Sequence, residues 1–185
     1  MNAVPLDRFS IVAESVAALE AEPFQARPQG DAHAGTWSTV HLVLDDATRD
    51  SAVIEFLDGK PRVHHDRTYT VMTNCPPFDQ QLEHLKRYEG FAGALPLPGT
   101  TEAADRFVRA AYYLDRLPPA DTAARTYAAL LSVMRNAAQP FGIPDLARPN
   151  ISIPDLAWVS PASVGEGNAS SERRRAAPEF AAPSG

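Results

Sequence analysis

The sequence predicts an α+β fold in which an antiparallel β-meander is followed by helices. Asp58-Gly59 lies between two apolar runs and signals a two-residue hairpin, because both turn positions need positive φ. The short connectors between successive runs allow only antiparallel neighbours. VHLVL and AVIEFL are apolar on both faces, which predicts a sheet that is covered on both sides. The four strand-like runs are WSTVHLVLDD, SAVIEFL, KPRVHH and TYTVMT.

A helix is predicted before the strands, with Ser10 as its N-cap and Pro23 at its end. Residues 25–36 (QARPQGDAHAGT) have the composition of a loop. The helix is predicted from one apolar stripe at helical spacing, formed by Phe9, Val12, Val16 and Leu19.

Three helices are predicted after the strands. The first ends at Gly90, the second starts near Thr100 or Thr101 and stops before Pro118-Pro119, and the third has Asp121 as its cap. Apolar residues recur at helical spacing in the segments FDQQLEHLKRYEGF, TEAADRFVRAAYYLDRLPP and DTAARTYAALLSVMRNAAQPFG.

The formal net charge of −6 argues against nucleic acid or an anionic membrane as a partner. No stretch approaches the ~20 apolar residues of a membrane span. The N-terminus lacks the layout of a signal peptide, so the chain as written is predicted to be soluble and not exported, with its compartment left open. One cysteine permits no internal disulfide.

Asn74 and Cys75 follow the last strand-like run, and the residues alone leave more than one interpretation open. Asn74 suits a turn, since asparagine is common where a strand ends. Cys75 is either inert packing or one half of a cysteine–histidine pair with His64, His65 or His84. Adjacent residues of a strand point to opposite faces, so His64 and His65 do not predict a metal site. HExxH, CxxC and glycine-rich phosphate motifs are absent.

Several blocks occur together in one order: SAVIEFLDGKP, TNxPxFDxQ, LPGxxxxxDRFVRA and a PFG segment. Together they resemble the choloylglycine hydrolase family, which includes bile salt hydrolases and penicillin V acylases. The resemblance runs from about Val4 to Ser152. The short link from Tyr88 to Leu97 resembles the penicillin V acylase-like proteins of Gram-negative bacteria more than the bile salt hydrolases, which carry a longer insertion there.

The resemblance implies an N-terminal-nucleophile hydrolase with an αββα sandwich. The thiolate of an N-terminal cysteine attacks a linear amide and its own α-amine acts as base, with no metal or cofactor. By resemblance Asn74 donates to the substrate or to the oxyanion, and Arg106 takes the place of the family's active-site arginine. Arg109 is a weaker candidate that supports packing or pairs with an acid. Cys75 occupies a variable position and, being internal, has no α-amine to serve as its base.

Met1 is followed by Asn2, so the family's nucleophile is missing from the start of this chain. We therefore expect residues 1–152 to form a partial domain without its N-terminal half, and residues 153–185 to be a divergent, disordered tail. The first hypothesis is a truncated linear amide hydrolase, inactive alone, whose family substrates are small amides such as penicillin V, conjugated bile salts or N-acyl homoserine lactones. The alternative is a non-catalytic binding or assembly module that pairs with a separately encoded half. Partners other than the small-molecule substrate are expected to be such a complementary half or further copies of the chain in a homo-oligomer.

Overall fold

The computed structural model describes residues 8–21, 29–31, 36–38, 41–138 and 158–159. Within these ranges the helices are α1 (Val12–Ala21), α2 (Phe78–Leu85), α3 (Ala103–Asp115) and α4 (Ala123–Ala137). The strands are β1 (Gln29–Asp31), β2 (Thr36–Ser38), β3 (Leu42–Asp45), β4 (Ser51–Leu57), β5 (Lys60–His65), β6 (Val71–Met72) and β7 (Trp158–Val159).

The centre of the fold is an antiparallel sheet with the strand order β3-β4-β5. Leu42 pairs with Ile54 across the first interface, and Leu57 pairs with Lys60 where β4 turns into β5. The hairpin predicted at Asp58-Gly59 is present, with φ of 52° and 75° at the two turn positions. The α+β class with a meander followed by helices is therefore confirmed.

The sheet is covered on both faces at β4, as predicted. The first five residues of β4 are all buried, although neighbouring side chains of a strand point to opposite faces. Ala52 and Ile54 pack with α1, whereas Val53 joins the core formed with the three later helices. The α1 side of the core also contains Val12, Val16, Leu19 and Leu44, and the other side includes Phe78, Phe107, Val108, Leu130 and Val133.

The prediction of four meander strands was wrong at both ends. The first run is split, because Thr36–Ser38 pairs with Gln29–Asp31 in a separate hairpin and only Leu42–Asp45 joins the sheet. Gln29–Asp31 falls in the segment that was predicted to be a loop.

The last run leaves the sheet after β5. The side chain of Asp66 accepts hydrogen bonds from the amide and hydroxyl of Thr68 and so turns the chain. The Ser51 hydroxyl then donates to the carbonyl of Tyr69 at 2.7 Å, so this segment is held by a side chain rather than by a strand ladder. Val71–Met72 pairs instead with Trp158–Val159. Trp158 and Val159 lie in the segment 153–185 that was predicted to be a disordered tail. The rest of that segment lies outside the described residues.

The helix starts differ from the predictions by one or two residues. The amide of Val12 in α1 donates to the Asp46 carboxylate at 2.8 Å, so a side chain from the β3–β4 turn caps this helix instead of Ser10. At α4 the N-cap is Thr122, which accepts from the amide of Arg125, while Asp121 pairs with the Arg125 side chain. At α3 the N-cap is Glu102, whose side chain does not cap the helix. The helices in the described part of the chain are too short or too polar to cross a membrane.

Candidate active site

The loop from Asn74 to Pro77 connects β6 to α2 and is closed by one buried side chain. The Nε2 of Gln81 donates to the carbonyls of Thr73 at 2.8 Å and of Pro76 at 2.7 Å. Its Oε1 accepts from the amide of Thr73 at 3.2 Å and lies 2.9 Å from the Thr73 hydroxyl, whose single proton it shares with the Ala103 carbonyl. Gln81 and Thr73 are fully buried, and the Cys75–Pro76 peptide bond within the loop is cis. The Thr and Gln of the TNxPxFDxQ block thus fix the loop that carries Asn74.

The end of β6 is also attached to α3. The Thr73 hydroxyl donates to the carbonyl of Ala103 at 2.9 Å, in the first turn of that helix. Arg106 follows three residues later, and residues three apart share a face of a helix. Its side chain is fully buried, and its Nε donates to the carbonyl of Thr101 at 3.1 Å. The structure therefore holds Thr73, the residue before half-buried Asn74, against the first turn of α3, three residues before Arg106.

Arg109 holds the loop before α3. Its Nη1 donates to the carbonyl of Thr100 at 2.6 Å and lies 3.4 Å from that of Pro98. Burial lowers the pKa of Arg109, and the charge of nearby Asp105 acts in the opposite direction. These contacts favour the supporting role over a place among the reacting groups.

Glu55 is a buried carboxylate that sequence reasoning missed. It lies on the central strand β4, and both of its oxygens accept from the amide of Phe78, at 2.9 and 3.1 Å. His64 Nε2 lies 3.1 Å from Oε2, and His41 Nε2 lies 3.7 Å from Oε1. The available signal was a glutamate inside the apolar run AVIEFL, since a fully buried acid needs partners.

Two opposing effects act on the charge of this cluster. Burial raises the pKa of Glu55, but hydrogen bonds from His64 and the Phe78 amide outweigh it, so the net shift is downward. Burial lowers the pKa of His41 although Glu55 attracts a proton to it. The two shifts agree on an ionised Glu55 beside a neutral His41.

The single cysteine is a free, half-buried thiol. Each histidine considered as its partner contacts a carboxylate instead: His64 with Glu55 at 3.1 Å, His65 with Asp50 at 2.9 Å and His84 with Asp105 at 3.2 Å. His64 and His65 point to opposite faces of the sheet, as predicted. In the part of the chain that is described, no three His, Cys, Asp or Glu side chains could hold a metal ion together.

The chain is similar to characterised amide hydrolases. Residues 4–150 match the family model for linear amide C–N hydrolases of the choloylglycine hydrolase family. A penicillin V acylase of Pectobacterium atrosepticum is 38% identical over 161 residues, which cover 80% of this chain and 42% of that protein. The solved structure of penicillin V acylase from Agrobacterium tumefaciens is 42% identical with a TM-score of 0.66, and the match covers 80% of this chain and 44% of that one.

This chain spans less than half the length of either relative. Its architecture is that of part of the N-terminal-nucleophile hydrolase fold found in the solved acylase. Members of the matched family act on linear amides of small molecules. The chain belongs to the choloylglycine hydrolase family of linear amide C–N hydrolases.

Proposed function

We propose that this chain supplies Asn74 and Arg106 to the active site of an enzyme that hydrolyses a linear amide. The observation that carries the proposal is the hydrogen bond from Thr73 to Ala103, which joins the strand end before Asn74 to the helix turn before Arg106. The proposal requires the side chains of Asn74 and Arg106, which come from different elements, to face one pocket. The proposal is tested by measuring the turnover of an amide substrate by this chain together with a segment that supplies the N-terminal cysteine.

The two residues have complementary roles in the proposed reaction. The side-chain amide of Asn74 donates to the carbonyl oxygen of the substrate, which becomes negatively charged as the tetrahedral intermediate forms. The guanidinium of Arg106 stays charged when buried and favours the thiolate form of the attacking cysteine. The thiolate displaces the amine, and water then hydrolyses the acyl-enzyme. The reaction needs no metal or cofactor, so a chelator should leave turnover unchanged.

The nucleophile in this proposal is a cysteine outside residues 1–185. Cys75 is an unsuitable nucleophile because its nitrogen belongs to the peptide bond with Asn74 and is not basic. The matched relatives are more than twice as long as the part that this chain covers, which leaves room for the missing segment in them. We propose penicillin V as the first substrate to test, since both relatives are penicillin V acylases. Conjugated bile salts and N-acyl homoserine lactones are further candidates of the same amide class.

The test is to co-express this chain with the segment of the Agrobacterium tumefaciens acylase that it does not match. We expect the complex to hydrolyse penicillin V and the chain alone to leave it intact. Mass spectrometry of the acylated complex should locate the acyl group on the N-terminal cysteine of the added segment. An acyl group on Cys75, or turnover by the chain alone that Cys75→Ala abolishes, would overturn the proposed origin of the nucleophile.

A second candidate is a non-catalytic assembly module that pairs its sheet with a separately encoded half. The observation in its favour is that β3 and β5, the outer strands of the three-stranded sheet, have no further strand beside them among the described residues. An unpaired edge strand is a template for another chain. A complex that forms with the added segment but never turns over any of the three amides would favour this module over the enzyme.

A further inference from the structure

Glu55 on β4 contacts the residue that directly follows the loop carrying Asn74, because its carboxylate accepts from the amide of Phe78. We propose that Glu55 is a positioning residue, which together with His64 holds the loop from Asn74 to Pro77 in the conformation that the amide of Asn74 requires. The role of Asn74 rests on the function proposed above. The hold of Glu55 on the loop does not, and it can be measured without any enzymatic activity.

The contact between Glu55 and Phe78 sets the point where the loop ends. Phe78 is the first residue of α2, and its amide is one of those that a helix cannot pair internally. The N-cap Pro77 offers no side-chain hydrogen bond to this turn, so the carboxylate of Glu55 takes that place. A negative charge at a helix N-terminus is also favoured by the helix dipole.

His64 makes this contact rigid by joining the sheet to α2 a second time. Its Nε2 faces Glu55 at 3.1 Å, and its Nδ1 faces the carboxylate of Asp79 at 3.4 Å. Arg62, two residues before His64 on β5, holds the same Asp79 at 2.8 Å. His64 also packs edge-on against the ring of Phe78, with 5.2 Å between the ring centroids.

The loop is therefore fixed from two sides. Gln81 binds its start and middle through the carbonyls of Thr73 and Pro76, and Glu55 binds its end through the amide of Phe78. Removing either hold frees the short segment between them, which includes Asn74. Capping a helix with a buried carboxylate costs free energy, because the desolvation of the carboxylate must be offset by several hydrogen-bond donors. We infer from this cost that the position of the loop is important.

Cys75 provides a reporter inside the loop. It is the only cysteine in the sequence and is half-buried, so the rate at which a disulfide reagent labels its thiol measures how often the loop opens. The variant is Glu55→Gln, which keeps the size of the side chain but loses the charge. The matched control is Asp50→Asn, which weakens a more exposed carboxylate–histidine contact, to His65 on the same sheet, and makes no contact with the loop.

With a protein of residues 1–185, we expect Cys75 of the wild type to be labelled far more slowly than in urea. Glu55→Gln should raise the rate by about tenfold, since the Phe78 amide and His64 then face a neutral amide with one acceptor oxygen instead of a charged carboxylate with two. Asp50→Asn should leave the rate unchanged. A wild-type rate equal to that in urea, or equal rates in the wild type and Glu55→Gln, would overturn the proposal. If Glu55→Gln does not fold by circular dichroism, His64→Gln replaces it, and an unchanged rate in that variant overturns the proposal equally.

A second experiment tests whether Glu55 affects catalysis through Asn74. It uses the complemented enzyme, which is this chain co-expressed with the added acylase segment. Glu55→Gln should lower kcat by roughly tenfold with little change in KM, and the same substitution in an Asn74→Ala background should have almost no further effect. Additive effects would mean that Glu55 does not act through Asn74, which overturns the positioning role. If Glu55→Gln labels faster at Cys75 but the complex never hydrolyses an amide, the result supports the role of Glu55 in holding the loop and contradicts the proposed function.

Discussion

The Thr73 hydroxyl donates to the carbonyl of Ala103 at 2.9 Å and thereby fastens the end of β6 to the first turn of α3. The same threonine is bound on its other side by Gln81. One small side chain thus connects the end of β6, the loop with Asn74 and the helix with Arg106. The proposed site depends on this junction.

Thr73→Val should destabilise the protein by about 2 kcal/mol, because it keeps the shape of the side chain but leaves the Ala103 carbonyl buried without this donor. Urea unfolding measures the loss. Thr126→Val is the control, since its hydroxyl makes only a hydrogen bond along α4 to the carbonyl of Thr122. A loss no larger than that of the control would show that the junction contributes little.

Gly93→Ala should destabilise the protein by about 3 kcal/mol or more, because the backbone must move to make room for a methyl group. A Cβ at Gly93 would lie 2.0 Å from both the carbonyl carbon and oxygen of Arg87. This close approach shapes the short link after α2, where the amide of Gly93 also donates to the carbonyl of Tyr88. Gly99→Ala is the matched control, since a Cβ there meets nothing within 4 Å. Equal melting temperatures for the two variants would contradict the packing of the link.

Asp46→Asn should weaken the attachment of α1 to the sheet in a pH-dependent manner. Burial raises the pKa of Asp46, but hydrogen bonds from Val12, Thr48 and Asp50 outweigh it and lower the pKa from 3.8 to about 2. A depressed pKa contributes stability that is present above pH 3.8 and is lost as the pH falls through about 2. After allowance for solvent screening, we expect a cost of about 1 kcal/mol at neutral pH.

The pH dependence of stability distinguishes the contribution of the Asp46 charge from a general effect of the substitution. The unfolding free energies of the wild type and Asp46→Asn should converge between pH 4 and about pH 2, measured by urea titration at each pH. A difference that stays constant down to pH 2 would mean that the charge of Asp46 does not hold the helix.

Arg106→Lys should lower kcat of the complemented enzyme by roughly 100-fold, because an ammonium cannot reproduce the guanidinium geometry in a fully buried position. Arg109→Lys is the matched control on the same helix and should change kcat by less than about fivefold, since Arg109 binds the carbonyls of Pro98 and Thr100. Steady-state kinetics with penicillin V compares them. A larger loss in Arg109→Lys would exchange the proposed roles of the two arginines.

The local parts of the fold were predictable from the sequence because they rest on local chemistry. Asp58-Gly59 encodes its turn through two positive φ angles, and the apolar run of β4 encodes burial on both faces. The pairing of Val71–Met72 with Trp158–Val159 was not predictable, since strands of two residues have no periodicity and their partners lie far apart in sequence. The cap of α1 was missed because Asp46 reaches it from another element.

In the candidate site, too, some features could be predicted from the sequence and others appear only in the three-dimensional structure. Asn74 and Arg106 were chosen from the motif blocks, since by spacing alone they are a turn residue and a helix arginine. Gln81 belongs to the same block, but its four contacts around Thr73 and Pro76 appear only in three dimensions. Glu55 was missed because a single acid in a strand gives no indication of which amide it will bind.

The central claim is that Asn74 acts on the substrate in a site whose nucleophile is not Cys75. The most direct measurement is kcat for penicillin V hydrolysis by the complemented enzyme in two adjacent variants, Asn74→Ala and Cys75→Ala. We predict a loss of roughly 100-fold for Asn74→Ala and a change within about twofold for Cys75→Ala. Undiminished turnover in Asn74→Ala, or turnover abolished in Cys75→Ala, would contradict the account.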